Sequence, residues 1–160
     1  MFNKMTVQQI SDIWDYVKYV VEEALPPTAG TQKQRMGNVL NALMSGAMEC
    51  WVVYDKEEED KLLNLYGVGL TVINTDVCSG VKSLTIYALA TFRETPLKYW
   101  EESFTGIVNY AKSRGCERIL GYSNIDKLKN LFVQAGGSAD YTLMVMPVDK
   151  YDRRRLYDTR

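Results

Sequence analysis

Residues 107–123 read IVNYAKSRGCERILGYS. Ile107, Val108 and Ala111 continue an apolar stripe that begins at Trp100 and Phe104, with the spacing of a helix face. Gly115 stands where such a helix would stop in the left-handed conformation. Immediately afterwards, 118–122 reads as a short strand. Upstream, Thr95-Pro96 opens the helix, with Thr95 predicted as its cap and Pro96 in the first helical position. Before that, 82–91 alternates as a strand. A strand, a helix and a strand in succession make a parallel pair joined by a right-handed crossover. The unit at 84–122 therefore anchors the fold.

On its N-terminal side the pattern is antiparallel. Residues 50–54 form a short apolar strand, DKEEEDK at 55–61 a charged hairpin tip, and 63–73 a longer strand with Gly67 and Gly69 inside it. Glycines there signal a bulge or close packing. Residues 74–80 make a second turn. Short hairpins of this kind pair strands antiparallel. Two helices precede them. The first begins at Thr6, whose capping box partner is Gln9, and carries Ile10, Ile13, Trp14, Val17, Val20 and Val21 inward until Pro26-Pro27. The second is predicted from Thr31, with Gln34 as box partner, to a stop at Gly46.

On the C-terminal side, Ser123 or Asn124 would cap a last helix with Leu128, Leu131, Phe132 and Ala135 inside, ended by Gly136-Gly137. A final strand is predicted at 141–148. The sequence thus predicts an α+β fold, with a central, mostly antiparallel sheet, one parallel strand pair and about four flanking helices. The chain of 160 residues suits one domain, placed at 1–150, with a polar and basic tail at 151–160.

Composition narrows the chemistry. A net charge of -1 gives no field that would steer the protein to nucleic acid or anionic lipid. No apolar run is long enough to span a bilayer, and the N-terminus lacks the apolar block of a secretory signal. There is no histidine, which removes Ser-His and Cys-His nucleophiles and every histidine-containing zinc site. Cys50, Cys78 and Cys116 are widely spaced and read as reduced thiols. No metal is expected.

The order of elements resembles that of the GCN5-related N-acetyltransferases. The segment 107–123 is similar to that family's central helix, arginine-glycine turn and following strand. LKNLFVQAGG at 128–137 is similar to its helix ending in Leu-Tyr-x-x-x-Gly-Phe, and WVVYD with LYGVGLTV to its early strands. The resemblance implies an acetyl-CoA site. Its pantetheine arm would pair with the strand backbone at Ala88, Leu89 and Ala90, and its pyrophosphate would lie in a loop of pattern Arg/Gln-x-x-Gly-x-Gly/Ala. Here the matching segment is FRETPLKYW at 92–100, and no glycine lies between Val81 and Thr105. The two glycine positions fall near Lys98 and Trp100. Glycine lets backbone amides touch phosphate, whereas an indole does not, and Pro96 removes a donor. If CoA binds, its residues would be Leu89, Ala90, Arg93 and Lys98. Where the family places a tyrosine as general acid, this chain has Phe132, which has no proton to give. The candidate bases are Glu49, ahead of the first of the three meandering strands, and Asp76, in a turn. Tyr99 or Tyr122 would be alternative acids.

These departures point to a catalytically silent relative with no cofactor, used as a binding or assembly module. NIDKLKNLFVQAGGSADYT at 124–142 resembles acetyltransferase-like proteins of short-tailed bacteriophages, which implies a role in virion morphogenesis. The expected partners are other protein chains such as portal, tail or internal virion proteins, in the host cytoplasm or the virion. The tail residues Tyr151, Arg153, Arg154, Arg155, Leu156 and Tyr157 are of types common at interfaces. The alternative is an active, acetyl-CoA-dependent N-acyltransferase with an atypical phosphate loop. Nucleic-acid binding through the three arginines is not expected, because Asp152 and Asp158 flank them and nothing extends the patch.

Overall fold

The computed structural model describes residues 1–30, 33–55, 65–123, 126–146 and 148. They fall into two compact units, Met1–Tyr122 and Ser123–Arg160.

The first unit is built on a five-stranded sheet in sequence order: β1 (Phe2–Lys4), β2 (Glu49–Tyr54), β3 (Leu65–Thr75), β4 (Lys82–Thr91) and β5 (Arg118–Gly121). The first four pair antiparallel, while β4 and β5 pair parallel. The predicted sheet is therefore present, with one addition. The sequence reading missed β1, because three residues are too few to show alternation. Its register is set by Phe2 opposite Val53 and Lys4 opposite Trp51.

Helices α1 (Val7–Ala24) and α2 (Arg35–Ser45) cover one face. The predicted capping box starts α1: Gln9 N–H donates to Thr6 Oγ1 at 3.3 Å, and Thr6 N–H to Gln9 Oε1 at 2.9 Å. The second box is not formed. Helix α2 starts at Arg35, with no side-chain cap, and Thr31 lies outside the described residues. Arg35 is instead tied across the connection, to the Glu22 carboxylate at 2.7 Å and to the Gly30 carbonyl at 2.9 Å. The core on this face comprises Ile10, Val17, Val21, Val39 and Leu43 against Cys50, Val52, Val68, Leu70 and Ala88.

Helix α3 (Leu97–Ser113) covers the opposite face, with Ile107 and Ala111 on Trp51 and Leu84. Trp51 lies between Cys50 and Val52 in sequence and points the other way, as a strand's period of 2 requires. The end of α3 is as predicted. Gly115 has φ 71°, Cys116 N–H reaches the Ala111 carbonyl and Gly115 N–H that of Lys112, which satisfies two orphan carbonyls. Glu117 N–H then donates to the Lys82 carbonyl and sets β5 beside β4. The start of α3 differs from expectation. Pro96 is the cap residue itself, and Thr95 donates to the Arg93 carbonyl instead of capping the helix.

In the second unit, α4 (Asp126–Gln134) ends at Gly136, whose φ is 93°. Gly137 N–H bonds the Phe132 carbonyl, and a Cβ at Gly137 would stand 2.3 Å from the Phe132 ring, so only glycine fits. The predicted last strand at 141–148 is not formed: the described residues 141–146 carry no regular element. A strand needs a neighbour to take its backbone hydrogen bonds, and no described residue pairs with this segment. The charged hairpin tip beyond Asp55 and the tail 151–160 lie outside the described residues.

Candidate functional site

The site implied by the resemblance falls where β4 changes character. Between Leu70 and Thr71 of β3, the facing residues on β4 jump from Ala88 to Ile86, leaving Tyr87 as an inserted residue. One inserted residue exchanges the faces of everything beyond it. Leu84 accordingly packs under α3, whereas Ala88 and Ala90 pack under α1 and α2. At the same level β5 ends. Its ladder with β4 runs from Ser83 opposite Arg118 to Ile86 opposite Gly121 and goes no further. From 88 to 91, β4 is paired only with β3.

This open edge divides the predicted backbone contacts. Phe92 N–H donates to the Tyr66 carbonyl at 2.9 Å. Antiparallel alternation then turns the N–H and C=O of Ala88 and Ala90 toward β3, and those of Leu89 and Thr91 toward the open side. The backbone groups of Leu89 thus lie on the open side. Ala90 is not, since its carbonyl and amide serve the ladder. Gly67 allows this close pairing: a Cβ there would lie 2.8 Å from the Ala90 oxygen.

Beyond the edge, Arg93 and Lys98 are brought together by two tyrosines. The rings of Tyr66 and Tyr99 are 4.8 Å apart and tilted. The Arg93 guanidinium lies 4.0 Å over Tyr66, and Lys98 Nζ lies 4.7 Å from the Tyr99 ring centre. Tyr99 is buried, a core position the sequence reading did not assign. Its hydroxyl donates to Asp55 Oδ2 at 2.9 Å. That hydrogen bond, then burial, raises its pKa above the ordinary tyrosine value, with Lys98 opposing. A phenol held this way is a poor proton donor to a leaving group. Sequence spacing signals Tyr99 only weakly: eight residues before Ile107 puts it about 80° round the helix, at the border of the apolar stripe.

The candidate bases are engaged elsewhere. Glu49 is the first residue of β2, not a residue ahead of it. Its carboxylate accepts from the Tyr110 hydroxyl and, at 3.3 Å, from Thr71 Oγ1, with Lys4 Nζ at 3.7 Å. Thr71 in turn accepts from Trp51 Nε1 at 2.8 Å. This network fixes β2, β3 and α3 to one another. Asp76 closes its turn by accepting from Cys78 N, Ser79 N and Ser79 Oγ. The Ser79 hydrogen bonds hold its carboxyl below the usual range. Cys50 is buried, which pushes its thiol up to about 12 and keeps it protonated. Among the described residues no cluster of His, Cys, Asp or Glu could hold a metal, and no helix is long and apolar enough to cross a membrane.

Acetyl-CoA fits half of this arrangement. An extended arm could pair with Leu89 and Thr91. The segment 92–98 lacks the glycines of the loop pattern Arg/Gln-x-x-Gly-x-Gly/Ala, its cap residue has no N–H, and Leu97 stands exposed at the first turn.

A mostly antiparallel sheet with a bulged fourth strand, a short parallel neighbour and a crossover helix between them is the arrangement of the GCN5-related acetyltransferase fold. No protein-family model and no curated protein sequence matches the chain, but solved structures do. A putative acetyl transferase from Pyrococcus furiosus superposes with a TM-score of 0.64 at 17% identity, over 92% of this chain and 100% of that one. Glucosamine-6-phosphate N-acetyltransferase from Arabidopsis thaliana gives 0.64 at 12% identity, over 93% and 98%. AAC(6')-Iy, solved with the bisubstrate analogue CoA-S-monomethyl-acetylneamine, gives 0.63 at 8%, over 92% and 96%. The fold is shared; at these identities nothing more follows.

Proposed function

We propose that this protein uses the acetyltransferase fold as a non-catalytic binding module. The observation that carries the reading is the start of α3. Pro96 caps it, Tyr99 is buried behind it, and no glycine opens the loop to a pyrophosphate. The engaged state of Glu49 and Asp76, and the absence of a hydroxyl at Phe132, support it. Its partners in this reading are other protein chains, and the resemblance over 124–142 suggests virion assembly in a short-tailed phage as the setting. Calorimetric titration with acetyl-CoA, paired with a thiol-release assay, tests it. The expected result is no saturable heat up to millimolar nucleotide and no thiol release.

One observation favours a second reading. The open edge at Leu89 and Thr91 lies beside Arg93 and Lys98, where an acyl-CoA could pair its arm and meet two cations. Micromolar binding that is lost in Arg93→Gln or Lys98→Gln, with turnover, would establish an N-acyltransferase with an atypical phosphate site.

A further inference from the structure

The open edge of β4 is also a place where another chain can pair. Leu89 and Thr91 turn four backbone groups outward, and among the described residues none takes a backbone partner there. An unpaired run of β-forming residues is a template for an extended segment that reaches it. Just beyond stands Arg93, with its guanidinium carbon 4.0 Å from the centre of the Tyr66 ring and no described carboxylate within 4.0 Å. Asp55 is taken up by Tyr99, and Glu94 is exposed on the other side of Arg93 in sequence. Phe92 and Leu97 add exposed apolar surface beside it. Backbone groups in a row, then a stacked arginine, then apolar side chains form a sequence of contacts that suits a peptide.

We propose that the edge at 89–91 takes up an extended, acidic segment of a partner protein as an added strand, with an aspartate or glutamate of that segment on Arg93. This rests on the binding-module reading and gives its partner a chemistry: β-prone, extended, and carrying a carboxylate at the end nearest α3. The Arg-carboxylate pair would set register, while the main-chain hydrogen bonds would supply most of the affinity.

The test uses the full chain and a labelled synthetic peptide of about ten residues, alternating valine and threonine and ending in two aspartates. Fluorescence anisotropy is expected to show saturable binding. Replacing the aspartates by asparagines, or changing Arg93→Gln, should weaken it about tenfold. A peptide N-methylated at alternate residues should not bind, since it cannot complete the ladder. Leu89→Pro should also abolish binding, because it deletes an amide on the open side and leaves the pairing with β3 intact. Amide exchange at Leu89 and Thr91 should slow on saturation. No saturable binding, or equal binding by the N-methylated peptide, overturns the proposal. Acetyl-CoA turnover by the same preparation would sink the non-catalytic reading alone, so the two failures are separable.

Discussion

The two halves of β4 differ in both their neighbours and their packing. From 82 to 86 the strand has neighbours on both sides, β3 and β5, and sends Leu84 into the core under α3. From 87 to 91 it packs Tyr87, Ala88 and Ala90 against the core under α1 and α2, pairs only with β3, and turns its other edge out. A single inserted residue, Tyr87, separates them. The first half carries a ladder on each edge, while the second leaves the outward backbone groups of Leu89 and Thr91 without a strand partner among the described residues. The two halves are packed by different helices, so substitutions in them should be distinguishable.

The largest contrast lies between two leucines. Leu84 is fully buried, and Leu84→Ala should cost about 3 kcal/mol in transfer and cavity energy. Leu89 is half-buried, and Leu89→Ala should cost about 1 kcal/mol or less. Urea unfolding of both variants measures the difference. Equal losses would mean that the two halves share one core.

A smaller effect is expected from the glycines facing the second half. Gly67→Ala puts a methyl 2.8 Å from the Ala90 oxygen, a backbone atom that cannot turn aside. The strands must separate locally, at about 1–2 kcal/mol. Gly69→Ala meets the Leu89 side chain at 3.6 Å and the Ala88 oxygen at 3.9 Å, both ordinary contacts. It should be neutral or mildly stabilising, because alanine loses less chain entropy than glycine on folding. Thermal unfolding of the pair checks the sign. If both destabilise equally, the close approach at Gly67 is not what sets the position of the second half.

Much of the first half's architecture was legible in the sequence. Leu84, Ile107, Ala111 and Gly115 announce a strand and a crossover helix by period and stop signal, and Lys82 and Thr91 were correctly placed as the ends of the strand. The second half was less legible. A bulge leaves no mark on alternation when residues 86–90 read Ile-Tyr-Ala-Leu-Ala, apolar at every position. The sequence therefore offered Ala90 and Leu89 as equal backbone contacts, and only the register separates them. Strand β1 and the cap at Pro96 were missed for a related reason: three residues, or one proline, fit two assignments until a neighbour decides. The absence of a glycine cradle was readable outright, because it depends on residue type alone.

The smallest predicted effect concerns the residue that closes off the second half. Tyr99 lies against Tyr66, which pairs its carbonyl with Phe92 just past the end of β4, and its hydroxyl donates to Asp55. Its pKa in the folded protein is raised, chiefly by that hydrogen bond. A group that holds its proton more tightly when folded gives stability that is fully present below the unfolded tyrosine value, near 10. That stability is lost as pH rises through the higher folded value. The native protein should therefore lose stability more steeply above about pH 10 than Tyr99→Phe does. Other tyrosines and lysines titrate in both proteins and cancel in the comparison. Parallel unfolding curves for the two proteins from pH 9 upward would mean that the Tyr99–Asp55 contact does not persist in solution. The side of the site next to Arg93 would then be held by ring stacking alone.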